Sequence, residues 1–127
     1  MATPATGSTT SEELDQLPPD IATMRATARR LLAEDAAPIG PDELETLRLT
    51  LRGHLQLLIP VIEAMTLGLP KDDVPRACAL AGAREATMRL RLGVGDYPPV
   101  RMSVTMKLAR SVNALCDHYE NLSASRA

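Results

Sequence analysis

The side chains best suited to chemistry lie near the carboxyl end of the chain, in the run CDHYEN at positions 116–121. On a helix only residues three or four positions apart converge, and Cys116 and Glu120 are such a pair of ligand types. His118 points towards another side of the same helix. A zinc site would therefore need further ligands from other parts of the chain.

The other cysteine and the other histidine are Cys78 and His54. One alternative is thus a Cys2His2 zinc site made of His54, Cys78, Cys116 and His118. We favour a simpler interpretation, with two small buried or boundary thiols and two boundary histidines, and we predict no metal and no cofactor. A further alternative places His54 or His118 in a cavity of a helical bundle, where it serves a small-molecule site or an accessory enzyme.

Other catalytic patterns are missing from the sequence. It contains no Glu-x-x-His pair, which di-iron bundles use to place two ligands on one helix face. No serine lies in a nucleophile elbow, and the GVG at 93–95 has no phosphate-binding context. The sequence therefore predicts a protein that is not an enzyme.

The composition indicates which elements must position these residues. The chain has 19 Leu and 18 Ala but no Phe and no Trp, which favours helices over strands. A net charge of −2 and a near absence of aromatic residues argue against a stacking platform for single-stranded nucleic acid. The sequence shows no apolar run that could span a membrane and no signal peptide, so we expect a cytoplasmic protein without a membrane partner.

The spacing of apolar residues predicts an all-α protein, an antiparallel four-helix bundle. The predicted helices cover residues 20–35, 41–67, 72–92 and 100–122. Pro60 lies inside the long second helix and predicts a kink there or a break into two helices. The bundle forms a single domain at 18–122, between a disordered tail at 1–17 and a frayed tail at 123–127.

The second helix has apolar or small residues on a second side, opposite its main stripe. We interpret Thr46, Leu49, Gly53 and Leu57, together with Pro60, as a contact surface. This side either packs in a second layer inside the bundle or forms an interface with a partner or with another copy. The third helix likewise has two apolar stripes, one beginning at Val74 and the other at Ala79.

The segment at 77–92 carries a separate alternative. Cys78, Gly82 and Met88 occupy the positions of the small residue, the turn glycine and the apolar residue of a bacterial helix-turn-helix. Arg84, Arg89 and Arg91 would then reach DNA. The negative net charge does not favour phosphate binding, so a nucleic-acid partner is the weaker hypothesis beside one continuous Ala-rich helix.

Three blocks of the sequence are distinctive rather than compositional, at 44–69, 69–86 and 108–122. They include the runs RGH at 52–54 and LIP at 58–60. These blocks resemble a family of small uncharacterised actinobacterial proteins, mostly from Streptomyces, labelled "natural product biosynthesis protein". The resemblance implies an association with secondary metabolism and assigns no residue a role. We therefore expect a small, non-catalytic interaction or accessory protein that contacts a protein partner or forms a homo-oligomer.

Overall fold

The computed structural model describes residues 17–125 of the chain. In that range it contains four α-helices and no strand: α1 (Ile21–Leu32), α2 (Pro41–Thr66), α3 (Val74–Leu90) and α4 (Pro98–Ser125). The predicted all-α bundle is confirmed. Of the predicted tail at 1–17, all but Leu17 lies outside the described residues.

Two of the helices, α1 and α3, begin where an aspartate side chain satisfies a first-turn backbone N–H group. The Asp20 carboxylate accepts hydrogen bonds from the Thr23 backbone N–H at 3.1 Å and from the Thr23 hydroxyl at 2.7 Å. The Asp73 carboxylate accepts from the Arg76 backbone N–H at 2.9 Å. Pro41 takes the first position of α2, where its missing N–H removes nothing from the helix.

The helix α2 runs through Pro60 without a break. Pro60 deprives the helix of one backbone hydrogen bond, but Leu55, Leu58 and Ile62 on the same stretch are fully buried. Packing of this face against the bundle holds the helix together on both sides of the proline. The predicted division into two helices is therefore wrong.

The helix α4 lies at the centre of the bundle. It packs against all three other helices and is in direct contact with α2. α1 and α3 flank this pair on opposite sides and do not contact each other. The central position explains why α4 is buried over a broad face, which includes Val104, Leu108, Val112, Leu115 and Leu122 as predicted.

Several helix ends differ from the sequence prediction. α4 begins at Pro98 rather than at 100, because proline is well tolerated in a first turn. It ends at Ser125, so residues 123–125 of the predicted frayed tail belong to the helix. α3 ends at Leu90 rather than at 92.

Arginine side chains join the helices at the surface of the bundle. Arg30 of α1 donates to both carboxylate oxygens of Glu43 at 2.7 and 2.8 Å and to the carbonyl of Ala37 at 2.8 Å. Arg52 of α2 donates to the carbonyl of Leu90 at 2.7 Å, which satisfies an open carbonyl at the end of α3. Some arginines of this chain thus hold a loop between helices or bind the carbonyl at the end of a helix.

Candidate functional site

The outward side of α2 carries the most extensive uncharged surface of this helix. We call it the outer strip; it consists of the exposed residues Thr46, Leu49, Thr50, Gly53, Gln56, Leu57, Pro60, Ala64 and Leu67. Leu49 is 54% exposed and Leu57 is 45% exposed, so two large apolar side chains in the middle of this long helix face solvent. Among the exposed residues of 46–67, Glu63 is the single charged one, and it lies at the margin of the strip.

The structure excludes one of the two alternatives given for this side of α2. Thr46, Leu49, Gly53 and Leu57 are all exposed, so the prediction of a second packed layer inside the bundle is wrong. The opposite side of α2 fills the core with Leu51, Leu55, Leu58 and Ile62. Within residues 17–125 the bundle covers one apolar face of α2 and leaves the second face exposed.

A groove of about 710 Å³ runs along the carboxyl half of the outer strip. It is lined by Gly53, Leu57, Pro60 and Ala64 of the strip and by Leu17, which precedes α1. Leu17 is 59% exposed and widens the apolar surface beyond α2 itself. Leu17 and Ala64 were not predicted as contact residues. The seven-residue spacing of Thr46, Gly53, Pro60 and Leu67 was the available signal for the full length of the strip.

The two apolar stripes of α3 have opposite environments. Ala79, Ala83 and Ala86 are buried against the bundle, whereas the stripe that begins at Val74 faces outwards. Val74 is 70% exposed and Met88 is 66% exposed. The exposed Glu85 interrupts this stripe, so α3 does not continue the uncharged surface of α2.

The helix-turn-helix alternative is wrong in its geometry. Residues 74–90 form one continuous helix, so no turn occurs at Gly82. Arg89 points towards α4 rather than towards a DNA site, because it donates to the Lys107 carbonyl and to the Ser111 hydroxyl, each at 3.0 Å. The segment at 77–92 therefore has no recognition helix preceded by a supporting one.

His54 lies at the boundary between α1 and α2. Its Nε2 is 3.2 Å from the Thr27 hydroxyl oxygen, and Thr27 in turn donates to the carbonyl of Thr23. Burial lowers the pKa of His54, and the Asp20 carboxylate opposes that shift. His54 is thus a half-buried residue with a hydrogen-bond partner of its own.

His118 lies on the other side of the bundle, between α3 and α4. A Cβ built on Gly82 would come within 2.9 Å of its imidazole atoms Cδ2 and Nε2, so the imidazole rests directly on the glycine. The structure does not bring His54 and His118 together. Neither histidine lines any of the three pockets described within residues 17–125.

The thiols are also far from forming a site. Cys78 is exposed on the outer side of α3, whereas Cys116 is buried in α4. Within residues 17–125, no group of three or more His, Cys, Asp or Glu side chains is placed to hold a metal ion. In place of the Cys116–Glu120 pair, Glu120 and Asp117 both accept from the Arg25 guanidinium of α1.

The two cysteines should differ strongly in reactivity. Burial raises the pKa of the Cys116 thiol to about 11, so it stays protonated at neutral pH, and solvent does not reach it. We expect a thiol reagent such as 5,5′-dithiobis(2-nitrobenzoate) to modify Cys78 promptly in the native protein. Cys116 should react only on the timescale of unfolding. Absorbance traces with and without urea check this, and rapid reaction of two thiols in native protein would contradict the burial of Cys116.

The helices and the strip together define a class of protein, an all-α bundle that presents one uncharged helix face to solvent. None of the helices in residues 17–125 is long and apolar enough to span a membrane. Residues 22–124 match a family of unknown function, DUF6415, and the chain belongs to that family. Comparisons with curated proteins and with solved structures found no match to the chain.

Proposed function

We propose that this chain is a small, non-catalytic, cytoplasmic interaction protein. It binds a protein partner through the outer strip of α2. The single observation that carries the proposal is the exposure of Leu49 and Leu57 within a strip that is uncharged from Thr46 to Leu67. An apolar surface of this kind is typical of an interaction site. We also propose that the role belongs to natural product biosynthesis or its regulation, which is supported by the resemblance of the three sequence blocks.

The arrangement of reactive side chains supports a non-catalytic role. A nucleophile needs a base within hydrogen-bond reach, and Cys116 is instead buried with its pKa raised to about 11. His54 is engaged by Thr27, and His118 rests on Gly82. The exposed thiol, Cys78, lies on the outer side of α3.

A comparison of two double variants tests the proposal. Leu49→Glu/Leu57→Glu places charge on the outer strip, and Val74→Glu/Met88→Glu places equal charge on the outer side of α3. All four positions are exposed, so each double variant should keep the wild-type free energy of unfolding within about 1 kcal/mol. We expect only the α2 variant to lose its protein partners in affinity capture from the native host.

Each captured protein is then purified and titrated against wild-type chain and both double variants by isothermal titration calorimetry. The proposal requires the α2 variant to weaken binding by at least about tenfold, equivalent to about 1.4 kcal/mol, while the α3 variant binds as wild type. Undiminished binding by Leu49→Glu/Leu57→Glu would show that the outer strip is not the contact surface.

A further inference from the structure

A second and smaller groove, of about 260 Å³, lies between the carboxyl end of α3 and the amino half of α4. We call it the α3–α4 groove; it is lined by Glu85, Met88, Arg89, Leu92 and Lys107. Met88 and Leu92 lie four positions apart and are both exposed, so they give the groove an apolar wall. No residue of the outer strip lines this groove, so it is a separate surface of the bundle.

A network of polar contacts fixes the guanidinium group of Arg89 beside the apolar wall. Its Nη1 donates to the Lys107 carbonyl and to the Ser111 hydroxyl, each at 3.0 Å, and its Nη2 lies 3.2 Å from Oε1 of Glu85. Glu85 is the single carboxylate in the lining, and it is paired with this fixed cation. The lining therefore has no unpaired negative charge that would repel an anion.

The ammonium group of Lys107 is the cation that remains free to bind a ligand. Within residues 17–125 this side chain makes no hydrogen bond or ion pair, and the residue is exposed. The groove also lies in a cationic part of the chain, since residues 84–110 carry six Lys and Arg against two Asp and Glu. The rest of the chain carries eight against fourteen. The local field therefore attracts anions towards the groove, although the whole chain is acidic.

The size of the groove suits a small molecule rather than a protein. Residues 85–92 span about 10 Å at about 1.5 Å per residue, whereas a specific protein interface takes about 20–30 residues from each side. The volume is also below the range of about 300–1,000 Å³ that is usual for pockets holding drug-sized ligands. An apolar body of one or two rings therefore fits the space beside Met88 and Leu92.

The geometry points to the α3–α4 groove as a binding site for a small organic anion. The apolar body of the ligand lies against Met88 and Leu92, and its carboxylate or sulfonate group binds the Lys107 ammonium group. Contact with the apolar wall supplies most of the affinity, and the exposed ion pair adds a smaller amount and makes the site selective for anions. The flexible Met88 side chain adapts to bodies of different shape. This inference goes beyond the proposed function and does not depend on it.

Nuclear magnetic resonance of the protein with ¹³C-labelled methionine methyl groups tests the site. Met88 lines the α3–α4 groove, Met65 lines the groove along the outer strip, and Met24 is buried in the core. The three resonances therefore report on the proposed site, on the other apolar groove and on the fold. Met88→Leu and Met65→Leu variants assign the first two.

Three probes separate the apolar part of the ligand from its charge. Naphthalene-1-carboxylate has both parts, naphthalene-1-carboxamide lacks the charge, and acetate lacks the apolar body. We expect the naphthoate to shift the Met88 resonance along a saturating curve with a Kd of about 1 mM. The carboxamide should bind about threefold to fivefold more weakly, as the loss of an exposed ion pair predicts. Acetate at the same concentration should leave the Met88 resonance unchanged.

A matched pair of variants tests the role of Lys107. Lys107→Gln removes the cation in the lining, whereas Arg110→Gln removes an equal charge from an exposed residue of α4 that does not line the groove. In Lys107→Gln the naphthoate should bind only as tightly as the carboxamide, and the affinity of the carboxamide should not change. Arg110→Gln should bind the naphthoate as wild type at about 0.15 M salt, where charges more than about 8 Å apart are largely screened.

Several results would overturn the inference. Equal affinities for naphthoate and carboxamide would show that the groove does not recognise an anion. Equal losses in Lys107→Gln and Arg110→Gln would mean that net charge, rather than a site, attracts the ligand. A shift of Met65 in place of Met88 would assign the probe to the groove along the outer strip. None of these results bears on the proposed function, which is tested by the Leu49→Glu/Leu57→Glu variant.

Discussion

Leu55→Ala is expected to lower the free energy of unfolding by about 2–5 kcal/mol, whereas Leu57→Ala should change it by no more than about 0.5 kcal/mol. The two leucines lie two positions apart on α2, so they have the same helix propensity and point to opposite sides of the helix. Leu55 is fully buried, and its removal leaves a cavity in the core. Leu57 is 45% exposed on the outer strip.

Urea denaturation followed by circular dichroism measures both changes. The experiment is done at a protein concentration low enough to keep the chain monomeric, because association would add to the apparent stability. Matched m-values for wild type and both variants show that the comparison concerns the same folded state. Equal losses at the two positions would mean that the outer strip is packed within the monomer, against the exposure that supports the proposed function.

For α2 the sequence predicted which face is buried in the core, but not whether the opposite face is buried or exposed. The stripe through Leu51, Leu55, Leu58 and Ile62 has helical spacing and is fully buried as expected. The second side was as readily interpreted as another packed layer. Whether a neighbouring helix covers it depends on where α1 and α3 lie around α2, and the spacing within α2 contains no information about that.

The helix α3 shows why hydrophobicity alone does not assign an inward face. The stripe with the larger side chains, Val74 and Met88, faces solvent, and the alanines at 79, 83 and 86 face the core. Small side chains let α3 approach the central α4 closely, and close backbone packing favours alanine over bulk at such a contact. Glu85, which lies within the Val74 stripe, was the available signal for its exposure.

The sequence identifies the side chains that could do chemistry, but it does not identify the residues that they contact. His54 was expected at a helix boundary, and it lies there, but its contact with Thr27 joins residues 27 positions apart. The run at 116–121 contains ligand types for a metal, but Asp117 and Glu120 bind Arg25 of α1 instead. These contacts depend on how α1 packs against α4, which no local motif specifies.

For Gly82 the role predicted from the sequence differs from the role seen in the structure. As a turn glycine it supported a helix-turn-helix, yet it lies inside a continuous α3 with the His118 imidazole resting on it. A Cβ at this position would lie 2.9 Å from two imidazole atoms and 3.4 Å from Leu115 Cδ2. The absence of a side chain at Gly82 leaves the space that the His118 imidazole occupies.

Gly82→Ala is accordingly expected to destabilise the protein by roughly 1 kcal/mol, although alanine is the better helix former by about 1 kcal/mol. The matched control is Gly53→Ala, where the added methyl group meets open space and should stabilise the monomer by roughly 0.5–1 kcal/mol. The same substitution on two helices should thus have opposite signs. Urea denaturation at low protein concentration measures both.

Truncation of the neighbouring imidazole isolates the cause. In a His118→Ala background the clash disappears, so Gly82→Ala should become stabilising and the double-mutant cycle should give a coupling energy of roughly 1–3 kcal/mol. His118 is only partly buried, so the cycle also asks whether its ring can simply rotate into solvent. If Gly82→Ala stabilises the protein equally with and without the imidazole, the ring moves aside freely. The glycine would then have no part in setting the distance between α3 and α4.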